Sequence, residues 1–121
     1  IKRGIEVKVF NLTVTDLGEL AMALVDAATI VFGIPTVLTG AHPVAFYAAY
    51  LTNALRPKTR YAAIIGSYGW GCRTLDQVTG ALSNLKVEFL DPVYIKGIPK
   101  EDDLESIEKL AESISDKHKN L

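Results

Sequence analysis

Residues 64–74 read Ile-Ile-Gly-Ser-Tyr-Gly-Trp-Gly-Cys-Arg-Thr, three glycines interleaved with a tyrosine and the only tryptophan of the chain. Glycines let a backbone approach a flat ligand closely, and Tyr68 and Trp70 offer ring faces for stacking. The chemistry this pattern suits is the binding of a planar aromatic cofactor. Phosphate cradling fits less well. The glycines of 66–71 follow G-x-x-G-x-G rather than G-x-G-x-x-G, and no Lys-Ser/Thr pair follows them. The bland alternative is that Tyr68 and Trp70 cap a hydrophobic edge. A second stretch, Gly33-Ile-Pro-Thr-Val-Leu-Thr-Gly-Ala-His-Pro43, carries the same glycine and proline punctuation after an apolar run.

The remaining reactive residue types read as structural. A single cysteine excludes an intrachain disulfide framework and any C-x-x-C motif, and Cys72 reads as an inert small residue. Arg73 stands where a helix begins, a mildly unfavourable place for a cation unless a ligand or partner meets it. His42 reads as a loop residue and His118 as a solvated residue of a charged tail. They are far apart in the chain with no carboxylate cluster between them, so no metal site is expected. The acidic residues from Glu101 to Glu112 read as a solvated helix face.

Both glycine-bearing stretches need elements to hold them. Ile5–Leu12 alternates apolar and polar residues, which predicts a strand over 5–11. Thr15–Ala27 has helical spacing, with Asp16 and Glu19 at capping-box distance. Ala28–Thr36 is a continuous apolar run that predicts a strand over 28–33, buried on both faces and ended by Gly33 and Pro35. Pro43 fits the first turn of a helix running to Leu55. Further strands are predicted at 60–66 and 86–94, and helices over 74–85 and after Pro99. The last helix has acidic residues at its start and Lys117, His118 and Lys119 at its end, which suits the helix dipole. The order β-α-β-α-β-α-β-α implies an α/β fold with a parallel sheet covered on both faces. In such sheets ligands bind beyond the strand carboxyl ends, where loops 33–38 and 66–72 fall.

Length and charge narrow the setting. The chain has 121 residues, 49% apolar and 22% charged, which is enough for one globular domain. Its net charge of −1 gives no electrostatic case for nucleic acid or an anionic membrane. No apolar run reaches spanning length and the start shows no signal-peptide pattern, so a cytoplasmic setting is expected.

Gly66-Ser-Tyr-Gly-Trp-Gly71 after one buried strand, and Gly33-x-Pro35-Thr36 after another, resemble the two flavin-ring loops of flavodoxin-like domains. The similarity is to the C-terminal flavodoxin-like domain of flavodiiron proteins, also called A-type flavoproteins, and includes Asp91-Pro-Val-Tyr-Ile-Lys-Gly-Ile-Pro99. The resemblance implies a flavodoxin-like three-layer sandwich that binds FMN and passes electrons. In that family they go to a diiron centre of a metallo-β-lactamase-like domain that reduces oxygen or nitric oxide. By position it assigns Pro35 and Thr36 to the first ring loop and Ser67, Tyr68, Gly69, Trp70 and Gly71 to the second.

The sequence departs from the family pattern at several places. Ile34 stands for a serine, Leu38 and Thr39 for asparagines, and Cys72 for a smaller residue. The resemblance also aligns residue 1 near the end of the family's first helix. Residues 1–121 then read as an N-terminally truncated domain lacking the first strand, the phosphate loop and most of that helix, so that FMN is expected to bind weakly or not at all to this stretch alone, and no diiron ligand set is present. A homo-oligomer, or association with the missing N-terminal part, is expected, together with a redox partner protein. Two other readings are a degenerate flavodoxin-like domain that acts in association without flavin, and a quinone-reductase-like flavoprotein.

Overall fold

The computed structural model describes residues 1–37, 40–55, 58–68, 74–83 and 86–119. The elements run α1 (Leu17–Val25), β1 (Thr29–Val37), β2 (Gly40–Ala41), α2 (Pro43–Leu55), β3 (Tyr61–Tyr68), α3 (Thr74–Ala81), β4 (Glu88–Phe89), β5 (Val93–Lys96) and α4 (Glu101–Lys119). β1 and β3 are parallel and in register from Thr29↔Tyr61 to Pro35↔Ser67. β4 and β5 both lie parallel against the other edge of β3, and β2 folds back antiparallel on the end of β1. The parallel α/β sheet expected from the alternating apolar runs is what forms.

Two apolar layers sandwich the sheet. On one face Phe32, Ile34 and Ile64 pack with Ala45 and Ala49 of α2 and with Val78 and Leu82. The alanines keep α2 close to the strands. On the other face Ala63, Leu90, Val93 and Ile95 pack with Leu110 of α4, flanked by Ile107 and Ile114. The positions 107, 110 and 114 recur at helical spacing, so α4 lays one stripe on the sheet and exposes its charges. Its acidic first turn and basic last turn are as the dipole favours. Beside α2, α1 adds Leu20 and Leu24 against Ala48. Asp16 caps α1 by accepting from the Gly18 N–H at 3.0 Å.

Several sequence expectations are corrected. Residues 5–11 form no strand: among the described residues they pair with none, and Val9 is 83% exposed. An alternating pattern marks a segment that can be half-buried, but a strand exists only where a neighbour completes its ladder. The segment is instead held at its ends. Arg3 donates to Glu108 of α4 at 2.9 Å, and Phe10 and Leu12 pack beside Leu20 and Leu24. β1 is longer than 28–33, running through Gly33 and Pro35 to Val37, so Pro35 and Thr36 are strand residues rather than loop residues. Among the described residues, no strand borders β1 over 29–35 opposite β3, and a proline is tolerated on such an edge. β1 is also buried on one face only, since Phe32 and Ile34 are buried while Val31, Gly33 and Pro35 are exposed.

The predicted strand 86–94 is two short strands. Ala63 and Ile64 of β3 face Leu90, Asp91 and Pro92, one residue more, so the partner strand bulges there. Pro92 has no N–H to give the ladder. The α3 helix stops at Ala81 rather than 85. His118, expected in solvent, is partly buried, with Nε2 2.7 Å from Oγ1 of Thr29. This contact ties the end of α4 to the start of β1.

Ile64 is 1% exposed at the centre of the first layer. Ile64→Ala is expected to lower unfolding free energy by about 2–5 kcal/mol, a large share of a domain's total of about 5–15 kcal/mol. Urea denaturation followed by circular dichroism measures it, and a loss below about 1 kcal/mol would contradict this packing.

Candidate functional site at the strand carboxyl ends

Parallel, in-register pairing decides the site. Because β1 and β3 point the same way, both glycine-bearing stretches arrive at one end of the sheet. The last pair of the ladder is Pro35↔Ser67, both exposed. Thr36 follows and pairs with Ala41 of β2. Ser67 lies between Pro35 and Ile95, and Tyr68 opposite Lys96 of β5. The structure thus brings Pro35, Thr36, Ser67 and Tyr68 together. Gly69, Trp70 and Gly71 lie outside the described residues, as do Leu38, Thr39, Cys72 and Arg73.

The floor beneath this rim is a row across three strands, Ile34, Gly66 and Tyr94, which are register partners. A Cβ at Gly66 would stand 2.9 Å from the Ile34 carbonyl oxygen and 3.0 Å from the Tyr94 ring. Gly66 is therefore a close-approach glycine: the Tyr94 ring lies over its bare Cα. A methyl group at Gly33, one row lower on β1, would meet nothing within 4 Å. Gly33 thus leaves the exposed face of the strand flat.

Two residues at this end escaped the sequence reading. His42 is not an idle loop residue. Its backbone N–H donates to the Pro35 carbonyl at 3.2 Å, its carbonyl accepts from Phe46, and its Nδ1 accepts from the Val44 N–H at 3.2 Å. It therefore caps α2 and fixes that helix to the end of β1, with the ring proton on Nε2. The signal was available, since the residue before a proline at the first helical position is the cap position. Lys96 places a cation opposite Tyr68, and nothing short of the strand register reveals that. Among the described residues no group of three His, Cys, Asp or Glu could hold a metal ion. No described helix is long and apolar enough to cross a membrane.

The fold is flavodoxin-like. A solved flavodoxin from the domain Archaea matches with a TM-score of 0.77 at 24% identity, covering 98% of this chain and 81% of that one. The more particular likeness is to flavodiiron proteins. The nitric oxide reductase of Moorella thermoacetica is 29% identical over 114 residues, 93% of this chain and 29% of that protein. The Flv1 flavodiiron core from Synechocystis sp. PCC6803 matches with a TM-score of 0.77 at 25% identity, covering 87% of this chain and 26% of that one. The resemblance read from the glycine stretches thus stands on sequence and on fold. No family model matches the chain. It spans 30% and 29% of the length of two curated relatives that it matches.

The two glycines predict opposite responses. Gly66→Ala must displace a backbone carbonyl or the Tyr94 ring and is expected to cost about 1–3 kcal/mol. Gly33→Ala meets open space, and stability is expected to stay level or rise by about 0.4–1 kcal/mol. Paired urea titrations check both, and equal effects would contradict the close packing at Gly66.

Proposed function

We propose that this chain is an FMN-binding electron-transfer module, of the kind that serves an oxygen- or nitric-oxide-reducing flavodiiron protein. The observation that carries this reading is the Pro35↔Ser67 pair at the shared carboxyl end of β1 and β3. It draws the proline stretch and the start of the aromatic stretch to one rim. The residues present fit the ring of a flavin. Exposed Pro35 and Ser67 and the bare Gly33 give a flat strip that carries no formal charge. Backbone amides beyond Ser67 would address the polar edge of the ring, and an aromatic of 68–70 its face. When bound, the flavin itself supplies one- and two-electron redox chemistry, while the chain binds, orients and limits water around it. The nitric oxide reductase relative supports the oxidoreductase context. A separate redox partner protein would supply the electrons.

Residues 33–36 and 66–71 address the ring and not the phosphate. Titration of residues 1–121 with riboflavin and with FMN, followed by flavin fluorescence, is therefore expected to give affinities within a few-fold of each other. Trp70→Ala is expected to weaken both by roughly 1–3 kcal/mol of lost stacking, which is about five- to 150-fold. No change in the flavin signal with either ligand at millimolar concentration would overturn the reading and favour a domain that works by association alone.

A further inference from the structure

Along the sheet edge made by β4 and β5, a cavity of about 440 Å³ opens between α3 and the bulge at Leu90–Pro92. Half-buried Phe89 and buried Leu90 line it from the strands, and Thr79 and Gly80 line it from α3. Gly80 keeps the helix wall recessed. Its φ lies outside the left-handed region, and an added Cβ would meet nothing within 4 Å, so neither backbone conformation nor packing requires a glycine there. Glycine is a poor helix former, and at this position it leaves the groove open at a cost to the helix. Asp76 and Asp91, both exposed, line the same cavity, one from α3 and one from the bulge. Asp76 also suits its place in the first turn of α3, where the helix dipole favours a carboxylate. Asp91 has no such reason to be acidic. Among the described residues neither carboxylate has an ion-pair partner, and no Lys, Arg or His lines the cavity.

We propose that this groove is a docking site for an arginine side chain of a partner protein, carried on a surface segment with an apolar residue beside it. The reading is independent of the flavin and lies at the edge of the sheet away from β1. Charge selects a cation, since an anion would face two carboxylates and no counter-charge. The mixed lining selects arginine over lysine. A guanidinium is more weakly hydrated than an ammonium and forks onto carboxylates. It also stacks on an aromatic ring such as that of Phe89 and buries its stem along apolar surface such as Pro92. The open side selects a protein over a small free cation. Asp76, Thr79, Gly80, Asp91 and Pro92 are all exposed, so a small ligand would keep much of its surface in water, whereas small-ligand sites bury most of theirs. A protein that delivers the side chain covers the open side with its own surface. It enters by side chain and not by strand addition, because Pro92 and the bulge spoil this edge as a template for another strand.

A single anchor of this kind binds weakly, with a dissociation constant on the order of 1 mM for a short peptide, because exposed ion pairs add little and the peptide must be ordered. The probe is the blocked tripeptide acetyl-Leu-Arg-Leu-amide, titrated into isotope-labelled residues 1–121 up to about 20 mM, well above that constant, and followed by backbone amide shifts. Saturable shifts are expected at Thr79, Gly80 and Asp91. The same peptide with citrulline for arginine keeps the shape and loses the charge, and is expected to bind about fivefold more weakly or worse. The lysine peptide is expected to fall between the two. Free ethylguanidinium is expected to bind more weakly than the arginine peptide.

Variants locate the site. Asp76→Asn combined with Asp91→Asn is expected to weaken the arginine peptide about three- to tenfold. Glu105→Gln, which removes an exposed carboxylate on α4, is expected to leave binding unchanged. Gly80→Leu fills the groove and is expected to abolish binding while the thermal unfolding midpoint stays level or rises, since leucine is a far better helix former than glycine. That pairing of results separates loss of the groove from loss of the fold. The proposal is overturned by the absence of saturable shifts across the titration, by equal binding of the arginine and citrulline peptides, or by undiminished binding in the double asparagine or Gly80→Leu chains. Ethylguanidinium binding as tightly as the peptide would overturn the assignment to a protein partner.

Discussion

The seven register pairs between β1 and β3 are the constraint on which the remaining structure hangs. Parallel strands cannot be joined by a tight turn, so the chain must cross over one face to return, and α2 is that crossover. Its alanines at 45, 48 and 49 are the consequence, since a helix laid directly on two paired strands has little depth to fill. The ladder also fixes what lies on the opposite face. β3 is central, with Ala62, Ala63 and Ile64 all buried, and α4 must cover it through Ile107, Leu110 and Ile114. The close approach at Gly66 follows from the same crowding, because β3 has β1 on one side and β5 on the other.

Much of this was legible because the physics is local. Pro43 at a helix start, charge segregation along α4, and apolar runs at 28–36 and 60–67 each report their own element without help from distant residues. The parallel arrangement was also legible, because alternating strands and helices leave few other ways to bury both. What failed was whatever depended on a neighbour. Ile5–Asn11 carries a strand's alternation, but its side chains cannot say whether a ladder partner stands beside them. Gly33 and Pro35 read as the end of a strand because proline breaks a central ladder. Among the described residues no strand borders Pro35 on the side of β1 away from β3, so that penalty vanishes and the strand continues to Val37. The bulge at Leu90–Pro92 and the His118–Thr29 contact are likewise properties of register, which no single segment encodes.

The candidate site divides in the same way. Tyr68 was nameable from its place among the glycines, and Pro35, Thr36 and Ser67 from the family resemblance, and the ladder sets the four side by side. His42 and Lys96 were not, because each acquires its place through a backbone partner. For His42 that is the Pro35 carbonyl, and for Lys96 it is the register with Tyr68. The chemistry-bearing residues were visible from their types, whereas the residues that locate them were visible only in space.

The separation of the two halves of the rim also sets an order of events. Thr29 and Tyr61 are about thirty positions apart, so the β1–β3 ladder is a non-local contact that must be reached by closing a long loop before it is rewarded. Helices such as α4 form from neighbours alone on far shorter timescales. Until the ladder zips to its far end at Pro35 and Ser67, neither half of the rim has its neighbour. The juxtaposition of Pro35 and Ser67 therefore depends on the far end of a non-local ladder, and it is among the first features lost when the ends of those two strands fray.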